Sequence, residues 1–215
     1  MAERDLYFHF DYISPYAYLA WHRLRAFAPE HALRIVLKPT LFAGLLNAHG
    51  HKGPAEIPPK RLYMFKDCLR IAAQMSVPLR PPASHPFNPL AALRASILDM
   101  EEDTRHALVT RLYAATWAES RDVGSPAVVA ELCDEVGVPD VLQRIGDPVV
   151  KERLFEATRE AIERGVFGVP TMVVDGELFW GTDSFPHLER FLAGIDPIGA
   201  GEEARWANVK PTAKR

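Results

Sequence analysis

Strand-like runs stand only near the two ends of this chain, and the long stretch between them carries helical spacing. At the front, Leu6-Tyr7-Phe8-His9-Phe10 is short, aromatic and partly alternating, and Leu33-Arg34-Ile35-Val36-Leu37 alternates before stopping at Lys38-Pro39; both read as strands. Between them Ser14-Pro15 opens a helix. Serine is a favoured cap, proline is a favoured first helical residue, and Leu19, Leu24 and Phe27 recur at helical spacing. Strand, helix and strand in that order predict a βαβ unit with parallel strands. At the back, Thr171-Met172-Val173-Val174 and Glu177-Leu178-Phe179-Trp180 flank Asp175-Gly176, which predicts a hairpin closed by a two-residue turn. A last helix is expected from Gly181-Thr182-Asp183-Ser184 through Leu192.

The middle of the chain predicts helices over 60–75, 89–100, 103–119, 125–136, 139–145 and 148–164, with loop signals at 50–59 and 78–89. With this excursion set aside, the order of strands and helices is that of a thioredoxin fold. The expected class is therefore α/β: a thioredoxin-like domain of residues 1–42 and 165–197, an inserted all-helical domain of residues 43–164, and a polar arm or disordered end at 198–215.

Composition narrows the partners. The 215 residues are 48% apolar and 25% charged with a formal charge of -3, which suits a soluble globular protein and excludes collagen and repeat arrays. There is no overall basic field to draw nucleic acid or an anionic membrane, so a small molecule or another protein is the expected partner. The first residues hold no apolar run of signal-peptide length, and nowhere do the roughly 18 apolar residues of a membrane span occur together. A cytoplasmic protein is expected. Cys68 and Cys133 stand apart in helical stretches with no neighbour at zinc-ligand spacing, so they read as small buried hydrophobes and no metal is expected.

In a thioredoxin-type βαβ unit, reactivity lies at the N-terminus of the first helix, where unpaired backbone N–H groups and the helix dipole favour an anion. That place is Ser14-Pro15-Tyr16-Ala17. Redox relatives carry Cys-x-x-Cys here; neither end of this tetrapeptide is cysteine, so dithiol exchange by this protein alone is excluded. The site can instead hold a thiolate supplied from outside, with the Ser14 hydroxyl donating to it. Val169-Pro170, directly before a strand, occupies the place where this fold puts a cis proline facing the helix N-terminus, leaving Val169 able to pair with a peptide backbone. Backbone amides in Trp180-Gly181-Thr182-Asp183 can bind a carboxylate while Asp183 binds an ammonium, which matches the amino-acid end of a γ-glutamyl peptide.

Phe10-Asp11-Tyr12-Ile13-Ser14-Pro15-Tyr16-Ala17-Tyr18-Leu19-Ala20, Val166-Phe167-Gly168-Val169-Pro170-Thr171-Met172 and Phe179-Trp180-Gly181-Thr182-Asp183 together resemble three motifs of the 2-hydroxychromene-2-carboxylate isomerase family. That family is close to the kappa-class glutathione transferases within the DsbA-like thioredoxin superfamily, and the likeness runs in order along residues 5–195. It implies a homodimeric enzyme with glutathione as cofactor and an aromatic small molecule as substrate. Ser14, flanked by Pro15 and Tyr16, would contact the glutathione sulfur, Val169 before Pro170 would pair with its backbone, and Thr182 and Asp183 would hold its γ-glutamyl end. The implied reaction is cis–trans isomerisation by reversible thiolate addition to a conjugated carbon.

One position departs from the family pattern. After Leu45-Leu46-Asn47-Ala48-His49-Gly50 the family has an asparagine that contacts glutathione, and this chain has His51, whose imidazole keeps one hydrogen bond to give or take. Lys60 stands where relatives place a basic or polar residue near the glycine carboxylate of glutathione. Plainer roles exist for several of these groups: Ser14 as a helix cap, Asp183 as an N-terminal charge. Histidines 9, 22, 31, 49, 85, 106 and 187 read as structural or solvated. Tyr16, Tyr18 and Trp21 read as core, with Tyr16 also a platform for an aromatic substrate; Lys38 and Arg80 are candidate anchors for a substrate carboxylate. Two further functions share the residues: a kappa-like glutathione transferase, and a glutathione-binding protein without turnover.

Overall fold

The computed structural model of the chain describes residues 3–199, 201–210 and 212. They fall into two compact units, one ending at Thr182 and the other beginning at Asp183.

The first unit begins β1 (Arg4–Phe10), α1 (Pro15–Glu30) and β2 (Leu33–Pro39). Helices α2 (Phe42–His49), α3 (Pro58–Met75), α4 (Leu90–Ser96), α5 (Glu102–Trp117), α6 (Pro126–Glu135), α7 (Val141–Arg144) and α8 (Pro148–Glu163) follow. The chain then returns to strands with β3 (Thr171–Val174) and β4 (Glu177–Trp180). One sheet in the order β2-β1-β3-β4 joins the two ends. β1 and β2 are parallel, as the βαβ spacing predicts, and β3 runs antiparallel to both β1 and β4. The Asp175-Gly176 turn has both residues at positive φ, 51° and 86°, the signature of the type I′ turn expected between these strands.

Alternation along β1 decides which face is core. Leu6, Phe8 and Phe10 are fully buried, and Phe8 stacks on Trp21 of α1 with ring centroids 6.0 Å apart. Ser14 caps α1 and Pro15 is its first residue. At the end of β1 the aromatic core continues into the helical excursion, with Tyr12 and Tyr113 of α5 at 4.8 Å.

Two expectations are corrected. Residues 42–49 form the unpredicted helix α2; it is stopped by Gly50, which adopts φ 64° as the C-cap. The helix expected over 89–100 ends at Ser96, and the Arg105 guanidinium donates to the Ser96 carbonyl that the helix end leaves without an intrahelical partner. The stretch 198–215, expected as a polar arm or disordered end, carries one short helix among its described residues. The second unit contains α9 (Phe185–Leu192) and then α10 (Glu202–Ala207), whose first turn carries Glu202 and Glu203 against the positive helix pole and whose Arg205 pairs with Glu202. Residues 200, 211 and 213–215 of that stretch lie outside the described residues.

Candidate functional site

Ser14 sits where β1 turns into α1. Its backbone is extended (φ -94°, ψ 113°), and its Oγ accepts the Ala17 N–H at 3.1 Å, satisfying one of the orphan donors of the helix end. The same hydroxyl donates to the Val169 carbonyl at 3.5 Å, the outer limit of a hydrogen bond. Two segments 155 residues apart in sequence are thus brought face to face. The Val169-Pro170 peptide bond is cis. No acidic residue occupies the first turn of α1, so nothing from that turn neutralises its positive pole.

The proline loop is held from three sides. Gly181 N–H donates to the Pro170 carbonyl at 3.0 Å, which sets the end of β4 beside the loop, and the Thr171 hydroxyl donates to the Gly168 carbonyl at 2.8 Å. Trp180 lies so close over Gly168 that a Cβ there would stand 2.6 Å from the indole Nε1, so only glycine fits under the ring. From below, Val166 and Val169 pack with Leu45 of α2 and Ala161 of α8.

α2 also carries the departing residue to this neighbourhood. His49 meets the Val166 carbonyl through Nε2 at 3.3 Å, and the exposed His51 ring lies 5.8 Å from the His49 ring. Lys60 is exposed in the first turn of α3. That helix is tied to α1 by Tyr16, whose phenol donates to Asp67 at 2.9 Å and is held well above its usual ionisation range by burial and then by the Asp67 bond. Tyr16 therefore reaches into α3. Thr182 is half-buried just after β4, while Asp183 is exposed and opens the second unit. Lys38 extends over the Tyr7 ring at 5.5 Å, and Arg80 is exposed.

The loop preceding Ser14 holds what the sequence reading missed. Three successive carbonyls, of Asp11, Tyr12 and Ile13, each accept a hydrogen bond from a side chain of the helical excursion. The donors are Tyr113 Oη at 3.3 Å, Trp117 Nε1 at 2.9 Å and His85 Nε2 at 2.9 Å. The fully buried Asp11 carboxyl accepts the N–H groups of Ile13 at 3.1 Å and Phe42 at 2.9 Å, binding this loop to the start of α2. Burial pushes that carboxyl up to about 7, against the pull of the backbone bonds from Phe42, Ile13 and Tyr12. On β1, burial holds the His9 imidazole down to about 4, helped by the charges of Lys38 and Arg164. Asp11 had a faint sequence signal, a charge at the end of an apolar strand; for Tyr113, Trp117 and His85 none exists, since their partners are main-chain atoms.

Comparison with known proteins agrees with this fold. Residues 5–193 match the model of the DSBA-like thioredoxin domain. The chain is 33% identical over 189 residues to the 2-hydroxychromene-2-carboxylate isomerase of Sphingobium xenophagum, covering 86% of this chain and 96% of that protein. It is 26% identical over 214 residues to human glutathione S-transferase kappa 1, covering 91% and 95%. A solved 2-hydroxychromene-2-carboxylate isomerase structure superposes with a TM-score of 0.81 at 27% identity, over 94% of this chain and 98% of that one.

Proposed function

The chain belongs to the DsbA-like thioredoxin family and, within it, to the 2-hydroxychromene-2-carboxylate isomerases; from that premise we propose that it is a glutathione-dependent cis–trans isomerase of 2-hydroxychromene-2-carboxylate or a related aromatic side-chain substrate. The observation that carries the reading is the Ser14 hydroxyl, set between a helix N-terminus free of acidic residues and the Val169 carbonyl of the proline loop.

These residues fit the cofactor. The 3.5 Å bond from Ser14 to Val169 is weak, so the hydroxyl proton can turn to a sulfur anion at small cost while Oγ keeps its bond from Ala17. When bound, glutathione supplies a thiolate that adds reversibly to the conjugated carbon of the substrate, making a double bond rotatable. Ser14 holds that sulfur as the anion, and the α1 terminus stabilises the same charge. Val169 offers main-chain groups to the peptide backbone, with Pro15 and Pro170 as walls. Thr182 and Asp183 are assigned to the γ-glutamyl end by their sequence motif, Lys60 to the glycine carboxylate, and His51 to the contact made by asparagine in the family. Tyr16 contributes its ring, its hydroxyl being committed to Asp67. The loop before Ser14 is held by the buried Asp11 carboxyl and by the side chains that donate to its carbonyls.

The same reading divides the chain into a thioredoxin-like domain of residues 1–42 and 165–197 and a helical domain of residues 43–164, working as a cytoplasmic homodimer. Mixing the protein with glutathione and hydroxychromene carboxylate and following absorbance tests the activity. Isomerisation with glutathione unconsumed supports it. Stoichiometric thiol loss with a halogenated aromatic, and no isomerisation, would make the chain a kappa-like transferase, the function of its human relative; silence in both assays leaves a binding protein.

A further inference from the structure

We infer that His85 is a positioning residue for Ser14, acting through the hydrogen bond from its Nε2–H to the Ile13 carbonyl, an inference that rests on the reading of Ser14 as partner of the cofactor's sulfur. The Ile13–Ser14 peptide is held at both poles: its carbonyl by His85 at 2.9 Å and its N–H, that of Ser14, by the Asp11 carbonyl at 3.2 Å. With this plane fixed, the extended backbone of Ser14 aims Oγ between Ala17 and Val169.

Of the three donors to this loop, His85 is the one adjacent to Ser14. It also comes from a different part of the chain, the segment between α3 and α4, whereas Tyr113 and Trp117 share α5. Its ring is wedged among Phe65 at 5.2 Å, Trp117 at 5.7 Å and Phe87 at 6.5 Å, so its direction is set by packing. Donation to a carbonyl places the imidazole proton on Nε2. Nδ1 is buried without a hydrogen-bond partner among the described residues, so a second proton there would have no acceptor. Burial accordingly holds the group below its ordinary value, against the Ile13 bond and with the aid of the Arg61 charge. His85 is thus a neutral, oriented donor.

The test compares His85→Phe, which keeps a ring in the slot but has no donor, with His85→Gln, whose amide nitrogen reaches about as far as Nε2. His85→Phe should shift the ultraviolet titration of bound glutathione thiol upward by about half to one pH unit and speed exchange of the Ala17 amide about fivefold, the scale of one lost hydrogen bond. His85→Gln should restore both to within about twofold. If His85→Phe leaves both at the wild-type value, or if His85→Gln is as impaired as His85→Phe, the inference is overturned, and ring packing alone explains the residue. Should His85→Phe not fold, His85→Asn replaces it, since the shorter amide does not reach Ile13. The exchange measurement needs no ligand: calorimetry that detects no glutathione binding to the wild type would remove the proposed function, while Ala17 exchange would still decide His85.

Discussion

Replacing Ser14 by alanine removes three things of different size. In the free protein it removes the cap bond from Ala17, worth about 1 kcal/mol, or about 2–4 °C in melting temperature for a chain of this length. It also removes the 3.5 Å bond to Val169, which is too long to contribute much. In the complex it removes a hydroxyl donating to an anion, worth about 1.5–3 kcal/mol. Subtracting about 0.3 kcal/mol for turning the proton away from Val169 leaves about 1.2–2.7 kcal/mol, which is about one to two pKa units on the bound thiol. If helix and hydroxyl together hold that thiol near 6.5, against about 8.5 free, the thiolate fraction at pH 7 falls from about 75% to about 25% or less in the variant. A more basic sulfur is the better nucleophile, which offsets most of that loss in attack, so the slower turnover arises at elimination, where it is the worse leaving group. Glutathione affinity should stay within about tenfold, since the peptide contacts remain. Ultraviolet absorbance of the thiolate, followed against pH in protein saturated with glutathione, reads the shift directly. A titration curve that coincides with that of the wild type would refute the role assigned to Ser14.

Other residues give independent checks. Asp11 and His9 oppose each other in acid. Asp11, raised to about 7, contributes stability that is present below about pH 4 and lost as pH rises through 7, about 4 kcal/mol in all; His9, depressed to about 4, contributes stability present above pH 6.5 and lost as pH falls through 4, about 3 kcal/mol. Urea midpoints measured between pH 4 and 7 should therefore tilt in opposite directions relative to wild type, with His9→Gln losing stability toward pH 7 and Asp11→Asn losing it toward pH 4; parallel profiles would contradict both assignments. Gly168→Ala drives a methyl against the Trp180 indole and should cost about 1–2 kcal/mol on chemical denaturation while weakening glutathione several-fold, whereas a neutral result would mean the ring swings aside freely. His51→Asn, restoring the family residue, should tighten glutathione binding about fivefold by calorimetry, the scale of one hydrogen bond; no change would place His51 outside the site.

Much of the fold could be read from local pattern. The strands, the cap-and-proline start of α1 and the Asp175-Gly176 turn follow from residue spacing, because alternation, capping and positive φ are properties of neighbouring residues. α2 escaped notice because an eight-residue helix between a strand and a glycine offers barely two turns of periodicity. In the candidate site, the meeting of Ser14 with Val169 was legible since each lies at a chain position whose backbone geometry the fold dictates. His85 read as merely structural, for a histidine that serves a carbonyl leaves no residue-type signature on its partner.

What the amino-acid order determined by itself is therefore most of the elements and the two segments that would confront each other, the α1 tip and the loop before β3. What only tertiary structure decided is how the Asp11 to Ile13 loop is held, by donors 102, 105 and 72 positions away in the chain. The reason is physical. A main-chain carbonyl is the same group in every residue, so its partner depends on where packing carries a distant side chain; yet a buried carbonyl left unpaired costs about 1–3 kcal/mol, which makes those partners a condition of the fold.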